Sequence, residues 1–446
     1  MLSSLVAGSM ARRNIHYSWV IAAVTFLTML VMAGAVGAPG VFIQPLKNEF
    51  GWQTADISSA LAIRFVLFGL MGPFAAAFMN HFGMRRVIMV ALATVITGFA
   101  LSLYVMTQFW ELVFFWGVLV GLGTGLTAMV LGATVATRWF SARRGLIIGL
   151  LAASSATGQL VFLPLLAKLT ENFGWRSALF FVCLMLVLAA MAVWSLMRDH
   201  PADLGLPLYG ETDTTVAVKD QPRASLGEML LAPLVTLRDV SGSMTFWILF
   251  ATFFICGAST AGLIQTHFVS MCGDFGLVAT TAASMLALMG IFDFVGTVGS
   301  GWLSDRYDNR KLLFMYYGLR GVSLMVLPFT DFAISGLSIF AVLYGLDWIA
   351  TVPPTIKITA ATFGVQRANV VFGWIFAAHQ LGAAFAAYGA GLIRTLLATY
   401  TPSFFIAGLL CFSAALVALA ISNSARKESV AETGNTSSVG QSSNAA

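Results

Sequence analysis

Charge is what this sequence has least of. Lysine, arginine, aspartate and glutamate make up 10% of the 446 residues, whereas hydrophobic residues make up 59%. An ordinary soluble protein is about a quarter charged and about half apolar. So few charges cannot cover the surface of a water-soluble fold of this length, which excludes a soluble enzyme, a disordered scaffold and a nucleic-acid-binding protein. The composition predicts an integral membrane protein surrounded by the lipid bilayer.

Cysteine is also scarce, and its spacing shows no pattern. The sequence has four cysteines and no CxxC pair: Cys183, Cys256, Cys272 and Cys411. This favours neither a disulfide framework nor a zinc site. The phosphate-binding pattern GxxxxGK[ST] does not occur, so an ATP-driven pump has no support. No motif supplies the residues of an enzyme active site, and we expect neither catalysis nor a cofactor.

Long apolar runs fill most of the chain. A helical span needs about 20 apolar residues, because unpaired backbone polar groups are costly in lipid. Windows of that length predict twelve spans, near residues 17–42, 58–79, 86–107, 110–136, 143–168, 175–197, 244–268, 279–303, 311–330, 333–356, 369–393 and 402–423. The sequence therefore predicts an all-α membrane protein with twelve transmembrane helices.

One long polar segment divides the spans six and six. We expect a first half at 1–197, a cytoplasmic linker at 198–243, a second half at 244–424 and a disordered tail at 425–446. With a cytoplasmic N-terminus, 18 of the 24 lysines and arginines fall on the cytoplasmic side, as the positive-inside rule requires. We expect a multi-pass protein of the inner cell membrane with both termini in the cytoplasm.

The two halves contain similar segments. GWLSDRYDNRK, with Asp305, Arg306 and Arg310, follows the eighth predicted span, and AAFMNHFGMRR, with Asn80, follows the second. Repeated six-span units with a binding site at their interface are typical of secondary transporters. The repeat therefore indicates a transporter.

GxxxDR followed by paired basic residues resembles the signature of the major facilitator superfamily, and the resemblance covers the whole chain. It implies two six-helix halves, alternating access and, commonly, a monomer. In that family the acid of the motif links helices at the cytoplasmic gate, which implies gating roles for Asp305, Arg306 and Arg310. The first copy departs from the pattern at Asn80 and His81, so we expect the second copy to carry more of the gating interaction. The alternative is that these basic residues only anchor the topology.

Four further segments are similar to the monocarboxylate porter and oxalate/formate antiporter branch: residues 44–52, 139–145, 174–176 and 200–205. That branch implies transport of a monocarboxylate or a related organic acid. Two positions depart from it. The arginine that the branch places four residues after Asp293 is Thr297 here, and His379 stands at the position comparable to the helix-11 lysine of the antiporters.

Charged side chains inside the membrane each cost at least about 2.5–3.5 kcal/mol, so each needs a partner or a wet cavity. The predicted spans contain Arg64, Asp293, Arg320 and Asp347. Asp293 precedes Asp305 by 12 residues, or about 18 Å of helix, which places it near the middle of the membrane. There it could bind and release a proton or form a structural pair with Arg320. Both interpretations stay open.

Asp347 is the preferred cavity residue, because helices 1, 4, 7 and 10 line the central cavity in this superfamily. It shares a helix face with Thr351 and Thr355. Pro353 and Pro354 remove backbone hydrogen bonds and should open the helix locally. A buried structural carboxylate is the alternative.

Four more residues are candidates for substrate binding: Arg64, Gln265, His379 and Gln380. A histidine ordinarily titrates near neutral pH, and a charged His379 could hold an anion in place of the missing cation. Arg64 could bind an anion or extend to the interface, and Gln265 could lie at the cavity rim. A helix–helix hydrogen bond is the simpler role for Arg64 and Gln265, and a hydrogen-bonded core residue is the alternative for His379.

These observations predict a secondary active transporter of a small organic solute, preferably an organic acid, with or without a coupled proton. The alternative is an exporter of amphipathic or cationic compounds, which the acids Asp293 and Asp347 would favour. A third possibility, a non-transporting sensor or assembly partner on the same fold, is disfavoured by the near-intact gate motif.

Overall fold

Long helices build almost all of the computed structural model, which describes residues 2–127, 130–211, 226–330 and 332–421. In this part of the chain, eleven helices are long and apolar enough to cross a membrane. The helix Arg144–Phe173 occupies the place of the fifth predicted span and brings the set to twelve. The expected tail, 425–446, lies outside the described residues.

The twelve helices are numbered here in chain order. The first half consists of α1 (Ser18–Phe50), α2 (Thr54–Phe82), α3 (Met84–Tyr104), α4 (Phe109–Trp139), α5 (Arg144–Phe173) and α6 (Trp175–Leu196). The second half consists of α7 (Met244–Asp274), α8 (Ala279–Ser304), α9 (Asn309–Thr330), α10 (Ile334–Phe363), α11 (Val365–Leu397) and α12 (Thr401–Ala418). Shorter helices precede α1 (Leu2–Ala11) and α7 (Leu226–Val240).

One end of the bundle, here called the basic face, carries the links from α2 to α3, α4 to α5, α8 to α9 and α10 to α11. The opposite end is called the distal face. The two halves meet closely at the distal face: a Cβ on Gly40 of α1 would lie 2.7 Å from the carbonyl oxygen of Gln265 on α7. Nearby, the Ala55 N–H donates to Thr395 Oγ1 at 3.1 Å, and the Thr280 N–H donates to Glu171 Oε1 at 2.8 Å. These contacts close the distal end of the interface.

Within the second half, α7 and α11 cross with their backbones in contact. A Cβ on Gly257 would lie 1.7 Å from the His379 carbonyl oxygen, and one on Gly382 would lie 1.8 Å from that of Phe254. No side chain fits at either position, and small residues at such crossings let helices approach closely. This crossing sets the position of His379 in the middle of the second half.

The linker packs against the basic face. Its Tyr209 exchanges backbone hydrogen bonds with residues 139–142 between α4 and α5. The Trp374 indole of α11 donates to the Pro233 carbonyl oxygen of the helix Leu226–Val240 at 2.9 Å. The segment that joins the halves is therefore held against both of them.

Candidate functional site

Helix α10 is interrupted in its middle. The helical segment from Ile334 ends at Asp347, and helical structure resumes at Val352, which confirms the opening expected from the two prolines. Pro354 has no N–H to offer the Ala350 carbonyl oxygen. The Ser300 hydroxyl of α8 donates to that oxygen instead, at 2.5 Å. The interruption thus exposes backbone groups that side chains from other helices satisfy.

Asp293 of α8 supplies the acceptor at this interruption. Its Oδ1 accepts a hydrogen bond from the Ile349 N–H at 2.9 Å and another from the Thr297 hydroxyl at 3.1 Å. The carboxyl is buried. Asp293 and Thr297, both predicted from the sequence, therefore lie together against the broken part of α10.

Arg320 of α9 pairs with Asp347 and not with Asp293. Its Nε donates to Asp347 Oδ2 at 2.6 Å, and its Nη2 donates to the carbonyl oxygens of Asp347 at 2.5 Å and Trp348 at 3.2 Å. The suggested Asp293–Arg320 pair is wrong, because the carbonyl groups freed in α10 draw the guanidinium to Asp347. The Arg320 side chain is 0% exposed and that of Asp347 is 6% exposed.

This ion pair continues into α7 through a residue that the sequence did not single out. Arg320 Nη1 donates to Cys256 Sγ at 3.0 Å, and Cys256 Sγ lies 3.4 Å from Thr351 Oγ1. No local sequence motif surrounds Cys256, so its place in the cluster is visible only from the packing of α7 against α9 and α10. The two aspartates, Arg320 and Cys256 form one buried polar cluster in the middle of the second half.

His379 and Gln380 lie at the edge of this cluster. His379 Nε2 is 3.5 Å from Thr260 Oγ1, and its half-buried ring stacks on Phe376 with 5.8 Å between the ring centroids. Gln380 Oε1 is buried and has no hydrogen-bond partner in the part of the chain that the structure describes. Gln380 therefore retains an unused acceptor near the interface of the halves, whereas both ring nitrogens of His379 have partners.

Arg64 lies in the first half, on α2. Its Nη1 donates to the Val36 carbonyl oxygen of α1 at 2.8 Å, and its guanidinium lies 4.7 Å from the centroid of the Phe65 ring. The residue is 4% exposed, so it does not extend to the membrane interface. Within the described ranges no acidic side chain forms an ion pair with Arg64. It is a buried cation without an acidic counter-ion in that part of the chain.

Gln265 does not join these residues. Its half-buried side chain belongs to α7 near the distal face, and its carbonyl oxygen faces Gly40 where α1 meets α7. It lies at the closed distal end, away from the polar cluster around Arg320.

The motif at the basic end of α8 connects two helices. Asp305 forms an ion pair with Lys357 of α10. The Lys357 ammonium donates a hydrogen bond to the Asp305 carboxylate, and this holds the pKa of the Asp305 carboxyl below its usual value. Arg306 lies over the Trp302 ring, 4.1 Å from its centroid. The acid of the motif thus fastens α8 to α10.

Arg310 makes a separate contact. Its Nη2 donates to Asp308 Oδ2 at 2.7 Å, and its Nη1 donates to the Ile421 carbonyl oxygen at 3.1 Å. It therefore fastens the start of α9 to the chain beyond α12, and it does not join the Asp305–Lys357 link.

The first half contains a corresponding link despite its altered motif. Arg138 of α4 donates through Nη2 to Asn80 Oδ1 of α2 at 2.5 Å. Asp199, after α6, accepts the Arg85 N–H at the start of α3, at 2.8 Å. Asn80 therefore keeps a contact between α2 and α4 that corresponds to Asp305–Lys357 between α8 and α10.

A metal site has no support in the ranges that the structure describes, where histidine, cysteine, aspartate and glutamate form no group of three or more placed to hold an ion. In these ranges the site contains the buried carboxyls of Asp293 and Asp347, the imidazole of His379 and the guanidinium of Arg64, which has no acidic partner there. These groups suit the binding of an anion and of a proton.

Comparison with known proteins places the chain among transporters. The family model described as Major Facilitator Superfamily matches residues 24–387 and 274–442. Monocarboxylate transporter 13 of Rattus norvegicus is 28% identical over 413 residues, which cover 90% of this chain and 89% of the relative. The uncharacterized MFS-type transporter YcxA of Bacillus subtilis (strain 168) is 24% identical over 388 residues, 85% of this chain and 89% of the relative.

Solved structures show the same fold. The crystal structure of a D-xylose-proton symporter aligns with a TM-score of 0.68 at 15% identity, covering 90% of this chain and 97% of the other. An inward-open structure of the xylose transporter XylE from E. coli aligns with a TM-score of 0.66 at 14% identity, covering 90% and 95%. At such identities the likeness concerns the fold alone.

Proposed function

The chain belongs to the major facilitator superfamily, and on that premise we propose that it is a secondary active transporter of a small organic acid. The preferred substrate is a monocarboxylate, carried by alternating access together with a proton. Similarity to monocarboxylate transporters over 90% of the chain supports this substrate class. A carrier of this kind needs no catalytic group.

Arg64 is the observation that carries the proposal. A cation inside the membrane requires a partner or a wet cavity, and a guanidinium binds a carboxylate through parallel charge-assisted hydrogen bonds. Arg320 cannot serve, because Asp347 and two carbonyl oxygens already engage it. Arg64 uses one of its donors on Val36. A substrate carboxylate would supply its counter-ion.

The buried carboxyls provide a place for the coupled proton. Asp293 accepts two hydrogen bonds and lies in the same cluster as Asp347. The two acids share one guanidinium, that of Arg320. One of them can therefore take up a proton while the other stays paired with Arg320. Substrate anion and proton would then cross together.

The alternative is export of an amphipathic or cationic compound. It is favoured by the presence of two acids, Asp293 and Asp347, in the middle of the second half. Because Arg320 already holds Asp347, a cationic substrate could bind at Asp347 only by displacing a buried guanidinium, which leaves Asp293 as the only one of the two acids for it. This makes the second function the weaker of the two.

We also propose that the basic face is cytoplasmic, that the protein lies in the inner cell membrane as a monomer, and that its halves are residues 1–197 and 244–424. The loops of the basic face are rich in lysine and arginine, which supports this orientation by the positive-inside rule. The contacts at the distal face then correspond to a carrier closed on the outside.

A thermal-shift panel of the purified protein at two pH values tests the substrate class. The panel contains short mono- and dicarboxylates, aromatic acids and amphipathic cations. A ligand at a hundred times its dissociation constant stabilises the folded state by about 2.7 kcal/mol. We expect stabilisation by acids, stronger at low pH. Stabilisation by cations alone, stronger at high pH, would contradict the proposal and favour export.

The Asp305–Lys357 link is proposed to act in gating. Asp305→Asn should slow net transport severalfold and leave probe binding unchanged, because an exposed ion pair contributes little to the stability of the fold. Since the Asp305 pKa is lowered, the link is present above the usual carboxyl pKa and lost only in strong acid. The defect should therefore be the same at neutral and mildly acidic pH in a transport assay.

Asp308→Asn is the matched control for this experiment. It removes the partner of Arg310 and leaves the link between α8 and α10 intact. Equal turnover in Asp305→Asn and the wild type would remove Asp305 from the gate.

A further inference from the structure

One face of α8 carries a polar side chain at every turn from the middle of the helix to its basic end. Asp293, Thr297, Ser300 and Ser304 are four, three and four residues apart, a spacing that aligns them on one face. At 1.5 Å per residue this polar row is about 17 Å long. Asp293, Ser300 and Ser304 are each 5% exposed or less. Thr297 is half-buried, so most of the row lies inside the protein and not against lipid.

Helices α9 and α10 enclose the polar row. Asp293 accepts the Ile349 N–H of α10, and Ser300 donates to the Ala350 carbonyl oxygen of the same helix. Tyr316 of α9 is buried and lies beside Ser300. The row thus runs between three helices of the second half, from the interruption of α10 towards the basic face.

Two buried polar atoms near the basic end of the row, Ser304 Oγ and Asn309 Oδ1, have no hydrogen-bond partner among the described residues. Tyr316 Oη has no hydrogen-bonding neighbour there apart from Ser300. Buried polar groups are almost always hydrogen-bonded, to protein or to ordered water, and a water needs two to four such partners. Together with the other hydroxyls of the row, these atoms offer the partners that a file of water molecules requires.

We propose that the polar row is a proton path that connects Asp293 with the aqueous phase at the basic face. The inference rests on the proposed proton-coupled transport, for which it supplies the route. A proton that leaves the Asp293 carboxyl passes to the nearest oxygen of the file. Each following water or hydroxyl accepts one proton and gives up another, so Asp293 becomes a carboxylate, the hydroxyls are unchanged and one proton reaches the aqueous phase.

The charged and titratable groups that face Asp293 are Arg320 from α9, Asp347 from α10 and Cys256 from α7. Helix α5 also packs against α8, but its Glu171 contacts α8 at the distal end. The Arg320 guanidinium stabilises the Asp293 carboxylate after the proton has left. Because Arg320 already holds Asp347, this stabilisation is shared between two acids, and the proton can return.

Net uptake and substrate exchange in proteoliposomes test this path. The probes are lactate, pyruvate and oxalate, and a trapped pH-sensitive dye reports proton entry. In the double variant Ser304→Ala with Tyr316→Phe, acid-driven proton entry and net uptake should fall at least about tenfold, since positioned proton-transfer groups ordinarily contribute 10²–10⁴-fold. Exchange of internal for external substrate should be unchanged, because it requires no release of the proton. Ser304→Thr, which keeps the hydroxyl, should behave as the wild type.

A matched control makes the same chemical changes outside the row. Ser413 of α12 bonds to the Leu409 carbonyl oxygen, and Tyr388 of α11 is exposed, so Ser413→Ala with Tyr388→Phe should leave both assays unchanged. Normal proton entry in the double variant, or equal loss of net uptake and exchange, would overturn the path and leave acid transport standing. A wild type that moves these acids without protons would also overturn it. A wild type that moves none of the three acids would instead count against the proposed function.

Discussion

Arg320→Ala is expected to lower the free energy of unfolding by about 3–5 kcal/mol, the cost of breaking a buried ion pair by removing one partner. The substitution leaves the Asp347 carboxyl buried without its counter-ion and deprives the Asp347 and Trp348 carbonyl oxygens of their donor. Chemical or thermal unfolding of the detergent-purified protein measures the loss. We expect the cooperative transition of the variant to move well below that of the wild type.

Arg394→Ala is the matched control, because it breaks an ion pair with Asp274 whose side chains are 23% and 30% exposed. A partly exposed pair contributes about 1 kcal/mol or less. If Arg320→Ala were no more destabilising than Arg394→Ala, the buried pair would have no structural role.

The double variant Arg320→Met with Asp347→Leu separates structure from transport. Replacing a buried ion pair with apolar residues of similar size is often neutral or stabilising, so much of the lost stability should return. A stable double variant without transport would place the pair in the transport cycle, whereas one that transports normally would make it a scaffold.

The fold could be predicted from sequence because each span must satisfy its own backbone and expose an apolar surface to lipid. Pro353 and Pro354 also predicted the interruption of α10, since a residue without an N–H acts on the backbone wherever the helix lies. Helix ends were less predictable. Helix α1 continues to Phe50, eight residues past the predicted end, because hydropathy marks the apolar stretch and not the helical one.

The pairing of the buried charges could not be predicted in the same way. The sequence predicts the depth of Asp293, Arg320 and Asp347 along their helices, and it predicts all three near the middle of the membrane. Which acid meets the guanidinium depends on how the helices are rotated and on which carbonyl groups the break in α10 exposes. Cys256 joined the cluster for the same reason, through its contacts with Arg320 of α9 and Thr351 of α10.

The gate motif shows a further limit. Asn80 replaces the acid of the motif in the first half, and for that reason the sequence predicted a weaker gating contact there. In the structure Asn80 accepts a hydrogen bond from Arg138, a residue 58 positions away. A hydrogen bond of this kind depends on the packing of α2 against α4, which no local pattern records.

Arg64→Gln is expected to weaken binding of an acidic probe on the order of 100-fold, because a hydrogen-bonded charge contributes about 1.5–3 kcal/mol and each 1.4 kcal/mol is tenfold in affinity. Net uptake at low probe concentration should fall by a similar factor. Stability should not fall with it, since the guanidinium of Arg64 has no ion-pair partner among the described residues and glutamine can still donate to the Val36 carbonyl oxygen. Titration of the purified protein with lactate, pyruvate or oxalate measures the affinity.

Two variants complete the experiment. Arg64→Lys keeps the charge and loses the paired donors of the guanidinium, so its affinity should fall between those of the wild type and Arg64→Gln. Arg367→Gln removes an exposed arginine of the basic face whose side chain is 64% exposed, and it should bind as the wild type does. Because Arg64 is the one buried cation that the structure leaves to the substrate within the described ranges, wild-type affinity in Arg64→Gln would move the anion site away from α2.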